Sequence, residues 1–518
     1  MNHAKFVLPL LLAALPARAA DPIRLTPGRM PRIATVDPRY QSFNIEMVEV
    51  TGGRFWAPYR TTPPTHETPP GAKLATPGID PSLFRYRPPL DLANARLRKL
   101  AAALAPSYMR VSGTWANSTY FHDSDAPAPK SPPPGFGGIL TRAEWRGVID
   151  FSRAAGAPIV TSFTISDGVR DRNGVWTPDQ ARKFLAFTRS AGGHIAAAEF
   201  FNEPSFASMG GAPKGYDAAA YGRDFRLFRT FLKQTSPDTL LLGPGSIGEA
   251  GALASFPLIK SADMLTAEGP GLDAFSYHFY GTVSKRCASM DPSMQTTPQA
   301  ALSEDWLSRT DRDRAFYQAL RDRFEPGKPL WLTETGETAC GGNPWAATFL
   351  DSFRYLDQLG RLARSGVQVV IHNTLAASDY ALIDEDTLTP RPNYWSAWLW
   401  RNLMGTTVLD PGSAPAPPVH LYAHCLRGQP GGVAVLAINT DPSAAHQLAT
   451  PSAADRFSLT APELTSGTVQ LNGRELHLGS GDSLPELKGG AAPAGTVTLA
   501  PASITFLAFR SAENASCH

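Results

Sequence analysis

Several features that would assign a function quickly are missing from this 518-residue chain. It has only 4 cysteines, and neither they nor its 11 histidines show a metal-ligand spacing such as Cys-x-x-Cys or His-Glu-x-x-His. No Gly-rich phosphate loop follows the first strand-like run, so a doubly wound nucleotide-binding sheet lacks support. Neither a metal nor a cofactor is therefore expected. An excess of one charge is also missing: 48 Lys+Arg stand against 46 Asp+Glu, for a net charge of +2. That balance excludes bulk attraction to nucleic acid or to acidic membranes as the basis of function. After the first twenty residues no apolar run is long enough to span a bilayer, and no internal repeat is visible. What is present is a chain that buries a core, with 43% apolar and 18% charged residues, so disorder as the main state is excluded. The length suits two or three domains, or one large barrel with an appendage.

The first residues read as an address. Lys5 precedes the apolar run Phe6 to Leu15, and Ala17-Arg18-Ala19 follows as a small-x-small cleavage pattern. Residues 1–20 are thus expected to be a secretory signal, and the mature protein secreted or periplasmic, where disulfides persist. Four cysteines allow three pairings. Asn117-Ser118-Thr119 and Asn514-Ala515-Ser516 match the N-glycosylation pattern.

From about residue 40 to 405, short apolar runs alternate with amphipathic stretches. The runs are Ser42–Glu46, Tyr108–Gly113, Ile159–Thr164, Ile195–Phe201, Thr239–Gly243, Asp273–His278, Leu330–Glu334 and Val367–His372. Tyr221, Phe225, Phe228 and Leu232 make one apolar face at helical spacing. The fifth unit has the weakest helix, expected over Ala252 to Ala262. Eightfold strand–helix alternation predicts parallel pairing with right-handed crossovers, hence an α/β fold with a (β/α)8 TIM barrel over residues 41–405. After Asp410 a Pro/Ala/Gly/Ser linker, Pro411 to Pro418, leads into short strands with turns. Residues 406–518 are expected to form a β-sandwich, with the segment 21–40 a candidate to add strands to it. Pro-rich loops at Pro58–Pro81 and Pro127–Pro134 fall at strand-to-helix connections, where barrels build their functional face.

Two carboxylates stand at strand ends. Glu199-Phe200-Phe201-Asn202-Glu203-Pro204 closes the fourth run and Leu330-Trp331-Leu332-Thr333-Glu334-Thr335-Gly336 closes the seventh. Retaining glycoside hydrolysis needs two carboxyl groups about 5–5.5 Å apart, one protonating the leaving oxygen and the other attacking the anomeric carbon. Strand ends facing each other across a barrel mouth suit that geometry. Glu337, three residues beyond Glu334, is a competing nucleophile, but no strand precedes it to fix its position.

Asn202-Glu203-Pro204 resembles the acid/base motif of the clan of retaining barrel glycosidases with catalytic Glu on strands four and seven. More narrowly, Trp331-Leu332-Thr333-Glu334-Thr335 with Gly341-Gly342 resembles the nucleophile segment of heparanase and related β-glucuronidases. The resemblance continues through Tyr355–Gly360, Asp379–Glu385, Pro392–Trp395, Leu421–Cys425 and Val469–Gly473 to Cys517. It implies Glu203 as general acid/base, Glu334 as nucleophile and Asn202 as partner of the sugar 2-hydroxyl. It further implies that Tyr280 donates to the nucleophile, that His278 lines the same rim, that Arg110 braces a carboxylate from below and that Thr114 faces sugar. Asn44 and Glu46 would stand at the pocket edge. Gly341 and Gly342, through backbone N–H groups, and Tyr380, through its hydroxyl, would hold a uronate carboxylate. Cys425 and Cys517 match a C-terminal pair of that family. Cys287 and Cys340, following strands six and seven, would bridge two rim loops.

The expected function is hydrolysis of β-glucuronides, including heparan-sulfate-like glycosaminoglycan chains, by a monomeric, cofactor-free enzyme whose partner is a glucuronide-containing oligo- or polysaccharide. The alternatives are a barrel glycosidase for neutral β-glycosides and a non-catalytic carbohydrate-binding protein. Two departures bear on specificity. Asp123 to Ile139 is short where mammalian heparanase has an excised linker, so one uncut chain is expected. Gly245 to Gly271 holds a single Lys260 and no Arg, where mammalian heparanase has a basic cluster.

Overall fold

The computed structural model describes residues 21–59, 81–251, 254, 256–289, 292–412 and 417–518. The leader, most of the Pro58–Pro81 loop and part of the Pro411–Pro418 linker lie outside the described residues. Eight parallel strands close into a barrel. They are β1 (Gln41–Glu46), β2 (Met109–Ser112), β3 (Ile159–Thr161), β4 (Ile195–Glu199), β5 (Leu240–Ile247), β6 (Ala274–Phe279), β7 (Leu330–Thr335) and β8 (Val369–His372). The pairing β8 to β1 completes the ring, with Val370 opposite Gln41 and His372 opposite Phe43.

Local chemistry explains the crossover helices. Arg142–Ala155 starts at Thr141, whose hydroxyl accepts from the Glu144 amide while the Glu144 carboxylate accepts from the Thr141 amide. This reciprocal cap satisfies two orphan donors. Gly156 ends the helix in the left-handed region at φ 62°, which suits glycine. Trp145, Val148, Ile149 and Phe151 then face the barrel and are buried. Each such side chain contributes roughly 1.5–3 kcal/mol. Ala218–Thr235 buries Tyr221, Phe225, Phe228 and Leu232 in the same way. In the fifth unit the helix is Ser261–Glu268, whereas the expected Ala252 to Ala262 is non-helical at 254 and 256–260, with 252, 253 and 255 outside the described residues. Pro257 interrupts the earlier stretch: it lacks an amide donor and disfavours helical geometry in the residue before it.

The remaining strands form two main sheets. The larger, of nine strands, includes Arg32–Thr35, Met404–Leu409, Val419–Leu426, Val433–Asn439, Ala454–Thr460 and Ser503–Phe509. The smaller joins Ile23–Arg24, His446–Thr450 and Gly495–Leu499. N-terminal strands therefore pair with C-terminal ones, Ile23–Arg24 with His446–Thr450 and Arg32–Thr35 with Met404–Leu409. Leu25, Leu421, Val435, Leu448, Leu499 and Leu507 share one buried cluster between these sheets. Disulfides join Cys287 to Cys340 and Cys425 to Cys517. Among the described residues no helix is long and apolar enough to cross a membrane.

Candidate active site

Arg110, on β2 and wholly buried, organises the barrel mouth. Its Nη1 donates to Glu334 Oε2 at 2.8 Å and to Asn44 Oδ1 at 3.1 Å. Its Nε and Nη2 donate to Glu199 Oε2 at 3.0 and 2.8 Å, and Nη2 also donates to Asn202 Oδ1 at 2.8 Å. One cation thus holds residues from β1, β4, β7 and the loop after β4. Burial opposes ionisation of Glu199, but the Arg110 charge and hydrogen bonds from Thr333 and Arg110 outweigh it and hold that carboxyl below the usual range.

Glu203 sits just past β4 with a left-handed backbone, φ 51°. Burial raises its carboxyl to about 7, a shift that Arg110 opposes and the Glu199 charge reinforces. His278 Nδ1 lies 3.2 Å from Glu203 Oε1, and Arg110 Nη2 lies 3.2 Å from His278 Nε2. Because the guanidinium can only donate, Nε2 is the acceptor, and Nδ1 carries the proton given to Glu203. Burial lowers His278 to about 4, so it is neutral near pH 7. Tyr280 donates to Glu334 Oε1 at 2.8 Å, and burial followed by the Glu334 charge keeps its hydroxyl protonated. One carboxylate oxygen of Glu203, one of Glu334 and a His278 ring nitrogen lie within 4.8 Å of one another. The arrangement combines a carboxyl that can hold a proton near neutrality with a second one fixed by Arg110 and Tyr280. That is the equipment for proton transfer and nucleophilic attack on opposite sides of one atom.

Above these groups an open cavity is lined on one side by Glu46, Thr114, Asn373 and Tyr380, and on the other by Phe206, Met209, Ile247 and Val283. Phe55, Trp56 and Trp115 add aromatic surface on the first side, and Ala339 and Cys340 extend the second. Asn373 Nδ2, just past β8, is within hydrogen-bond distance of Glu46 Oε1 (3.1 Å), Tyr280 Oη (3.0 Å) and Tyr380 Oη (3.2 Å). Burial, then the Glu334 charge, pushes the Glu46 carboxyl well up. Its Oε2 is buried without a hydrogen-bond partner among the described residues. Gly113, at φ 89°, makes room for that oxygen, since a Cβ there would stand 1.5 Å from it.

The model of glycosyl hydrolase family 79, N-terminal domain, matches residues 88–360, more than half of the chain. The chain belongs to this family. Among curated proteins it is similar to heparanase-like protein 1 of Arabidopsis thaliana, at 28% identity over 365 residues, covering 68% of this chain and 65% of that protein. It is also similar to heparanase of Mus musculus, at 27% identity over 512 residues, covering 86% and 90%. Among solved structures, the GH51 α-L-arabinofuranosidase from Thermotoga petrophila aligns with TM-score 0.63 at 14% identity, covering 94% of this chain and 99% of that one. That likeness concerns the fold.

In this family 79 chain, Thr114, Glu203, Tyr280, Glu334 and Tyr380 all reach the cavity. Three other expectations need correction. Asn44 is not at the pocket edge: it lies two residues before Glu46 on the same face of β1, one layer deeper, where it accepts from Arg110 and donates to the Thr333 carbonyl. His278 is fully buried beneath the rim rather than lining it, because it fills the space between Arg110 and Glu203. Gly341 and Gly342 lie one layer behind the cavity wall, next to Cys340, which does line it. Their positive φ values of 83° and 85° form a tight turn, and a Cβ on Gly341 would meet Trp56 Cβ at 2.5 Å. Their evident role is to let Trp56 and Tyr380 seat closely. Asn202 is 2% exposed, and with its Oδ1 taken by Arg110 its amide NH2 is left as the donor group.

Glu337 is removed from the reacting atoms. It is buried and accepts from the Asn343 amide at 2.8 Å, Asn343 Nδ2 at 3.1 Å and Thr338 Oγ1 at 2.9 Å, an arrangement that shapes its loop. Sequence reasoning missed Glu199, Asn373 and the role of Asn117. Asn373 could have been found as the polar residue closing the eighth run. Asn117 was read only as a sequon, yet it is buried, donating to the Asn202 and Gly210 carbonyls and accepting from the Asn202 amide. Asn514 is likewise buried, donating to the Pro27 and Met30 carbonyls. A glycan on either amide would break these bonds.

Proposed function

We propose that this chain is a retaining β-glucuronidase of the heparanase-like type. The observation that carries the reading is the pair Glu203 and Glu334, with carboxylate oxygens within 4.8 Å and Glu203 raised to about 7. Glu334 attacks the anomeric carbon while Glu203 gives its proton to the leaving oxygen. The glycosyl–Glu334 ester is then hydrolysed by a water that Glu203, now ionised, deprotonates. Arg110 and Tyr280 orient Glu334, and the Asn202 amide donates to the sugar 2-hydroxyl.

Charge at the polar wall supports an anionic sugar. Burial and the Glu334 charge push the Glu46 carboxyl well up, which favours a donor over a repelling charge. Tyr380, raised by burial and by Glu46, also stays a donor. Charge-assisted hydrogen bonds contribute about 1.5–3 kcal/mol each. Two of them favour an aryl β-glucuronide over the matched β-glucoside by roughly 10²-fold in kcat/KM. Tyr380→Phe lowers glucuronide turnover and leaves the glucoside rate nearly unchanged. Equal wild-type rates on the two sugars would replace this reading with a glycosidase for neutral β-glycosides.

We read the C-terminal sheets with their shared cluster as a β-sandwich domain, and the protein as a monomer acting on a glucuronide-containing glycan outside the cytoplasm. The two disulfides and the leader-like residues 1–20 support export. N-terminal sequencing of the mature protein tests it: a start near Asp21 supports export, and an intact Met1 refutes cleavage.

A further inference from the structure

The two walls of the cavity differ in chemistry, and the catalytic pair lies between them. The wall after β8, β1 and β2 carries the polar groups Glu46, Thr114, Asn373 and Tyr380 together with the rings of Phe55, Trp56 and Trp115. The facing wall is apolar: Phe206 and Met209 follow Glu203 directly, Ile247 ends β5, and Val283 follows β6. Ile247 and Val283 are buried in one cluster against Phe206, Ala339 and the Cys287–Cys340 bridge, which makes the wall continuous. Phe206 is backed by the Phe256 ring at 5.8 Å. Among the described residues no Lys or Arg lines the cavity. Arg286, near this wall, is paired with Asp379 at 3.0 Å and stacked on the Tyr59 ring at 4.0 Å.

We propose that this apolar wall is the leaving-group subsite and that it selects an uncharged aryl aglycone over a charged one such as a sulfated sugar. The inference rests on Glu203 being the acid/base, because the group that donates the proton marks the side on which the leaving oxygen stands. A flat aryl ring removes apolar surface from water against Phe206, Met209 and Ile247. A sulfonate placed there loses hydration and finds no cation among the described residues, a loss that is large for an unpaired charge.

The test compares 2-naphthyl β-glucuronide with its 6-sulfo-2-naphthyl analogue on the full chain. The sulfonate lowers the pKa of the leaving naphthol, so intrinsic reactivity favours the sulfonated substrate. The expected result is nevertheless a kcat/KM about 10-fold or more higher for the unsulfonated one. Met209→Lys, at a half-exposed position, narrows or reverses that ratio by accelerating the sulfonated substrate. Ile247→Ala narrows it by slowing the unsulfonated one, and a thermal melt reports whether each variant is folded. Equal or faster wild-type turnover of the sulfonated substrate overturns this inference and leaves the glucuronidase reading intact. Hydrolysis of neither substrate overturns both.

Discussion

Arg110 and Arg361 each organise a cluster of carboxylates, and only the cluster around Arg110 opens on the cavity. Arg361, on the helix Phe349–Arg364, donates to Asp357, Asp311 and Glu304 at 2.6–2.9 Å. Asp357 also accepts from Tyr422 and lies 2.6 Å from His420 Nδ1 on the first long strand of the C-terminal sheet. Burial opposes ionisation of Asp357, but these partners overcome it and lower its carboxyl. Every charge there has a partner, and the cluster fastens barrel to sheet. Around Arg110 the same chemistry leaves two carboxyls short of donors: Glu203 stays near 7, and Glu46 has an unpartnered oxygen. Both face the cavity. The difference teaches that buried ion networks alone do not mark a site. Incomplete satisfaction beside a cavity does.

The sharpest way to break that comparison is at Glu334. Glu334→Gln is expected to lower kcat/KM by about 10⁴-fold or more with little change in melting temperature. Near-native turnover in this variant, with loss in Glu337→Gln instead, would move the nucleophile to Glu337. Next in size is Glu203→Ala, expected to cost about 10²–10⁴-fold and to be partly restored by azide with an activated aryl leaving group. In the wild type the acid must be protonated, so kcat/KM falls as pH rises through about 7. Loss of that limb in Glu203→Ala ties it to this residue, and persistence of the limb would assign it to another group.

Arg361→Met should do the reverse, destabilising by about 3–5 kcal/mol through loss of the cation paired with the buried Asp357 carboxylate while the folded fraction keeps its kcat. Urea midpoints and active-site-normalised rates separate the two effects, and a kcat loss at unchanged stability would contradict the purely structural role. The smallest effect is expected at Glu268, raised by burial from 4.5 to about 8. A raised carboxyl pKa means that the folded state binds the extra proton between these values, so its contribution to stability falls as pH rises through that window. Glu268→Gln should therefore melt a few degrees higher than wild type at pH 7.5 and show no advantage below pH 4.5. An equal gain at both pH values would rule out the titration.

Much of the site was legible because strand-end position is a sequence property. Asn202-Glu203 and Thr333-Glu334 each close an apolar run, and parallel barrels put such ends on one rim. The alternation of Asn44 and Glu46 also fixed their common face, though not their depth. Depth depends on barrel stagger, which separates a residue that braces Arg110 from one that meets the cavity. His278 and the Gly341-Gly342 turn were misplaced for the same reason: their motifs gave proximity to the rim without saying which layer of it they occupy.

The sequence by itself determined the eightfold alternation, the two strand-end carboxylates, the near-balanced net charge and the absence of metal spacings, because periodicity and motif are local. Tertiary structure alone decided that Asn117 supports Asn202 from 85 residues away, and that Asn373 joins Glu46, Tyr280 and Tyr380. It also decided that the wall beside Glu203 is apolar. Those facts arise where side chains from distant strands meet in a water-poor space. There, burial and a neighbour's charge set a group's protonation, and neither can be read along the chain.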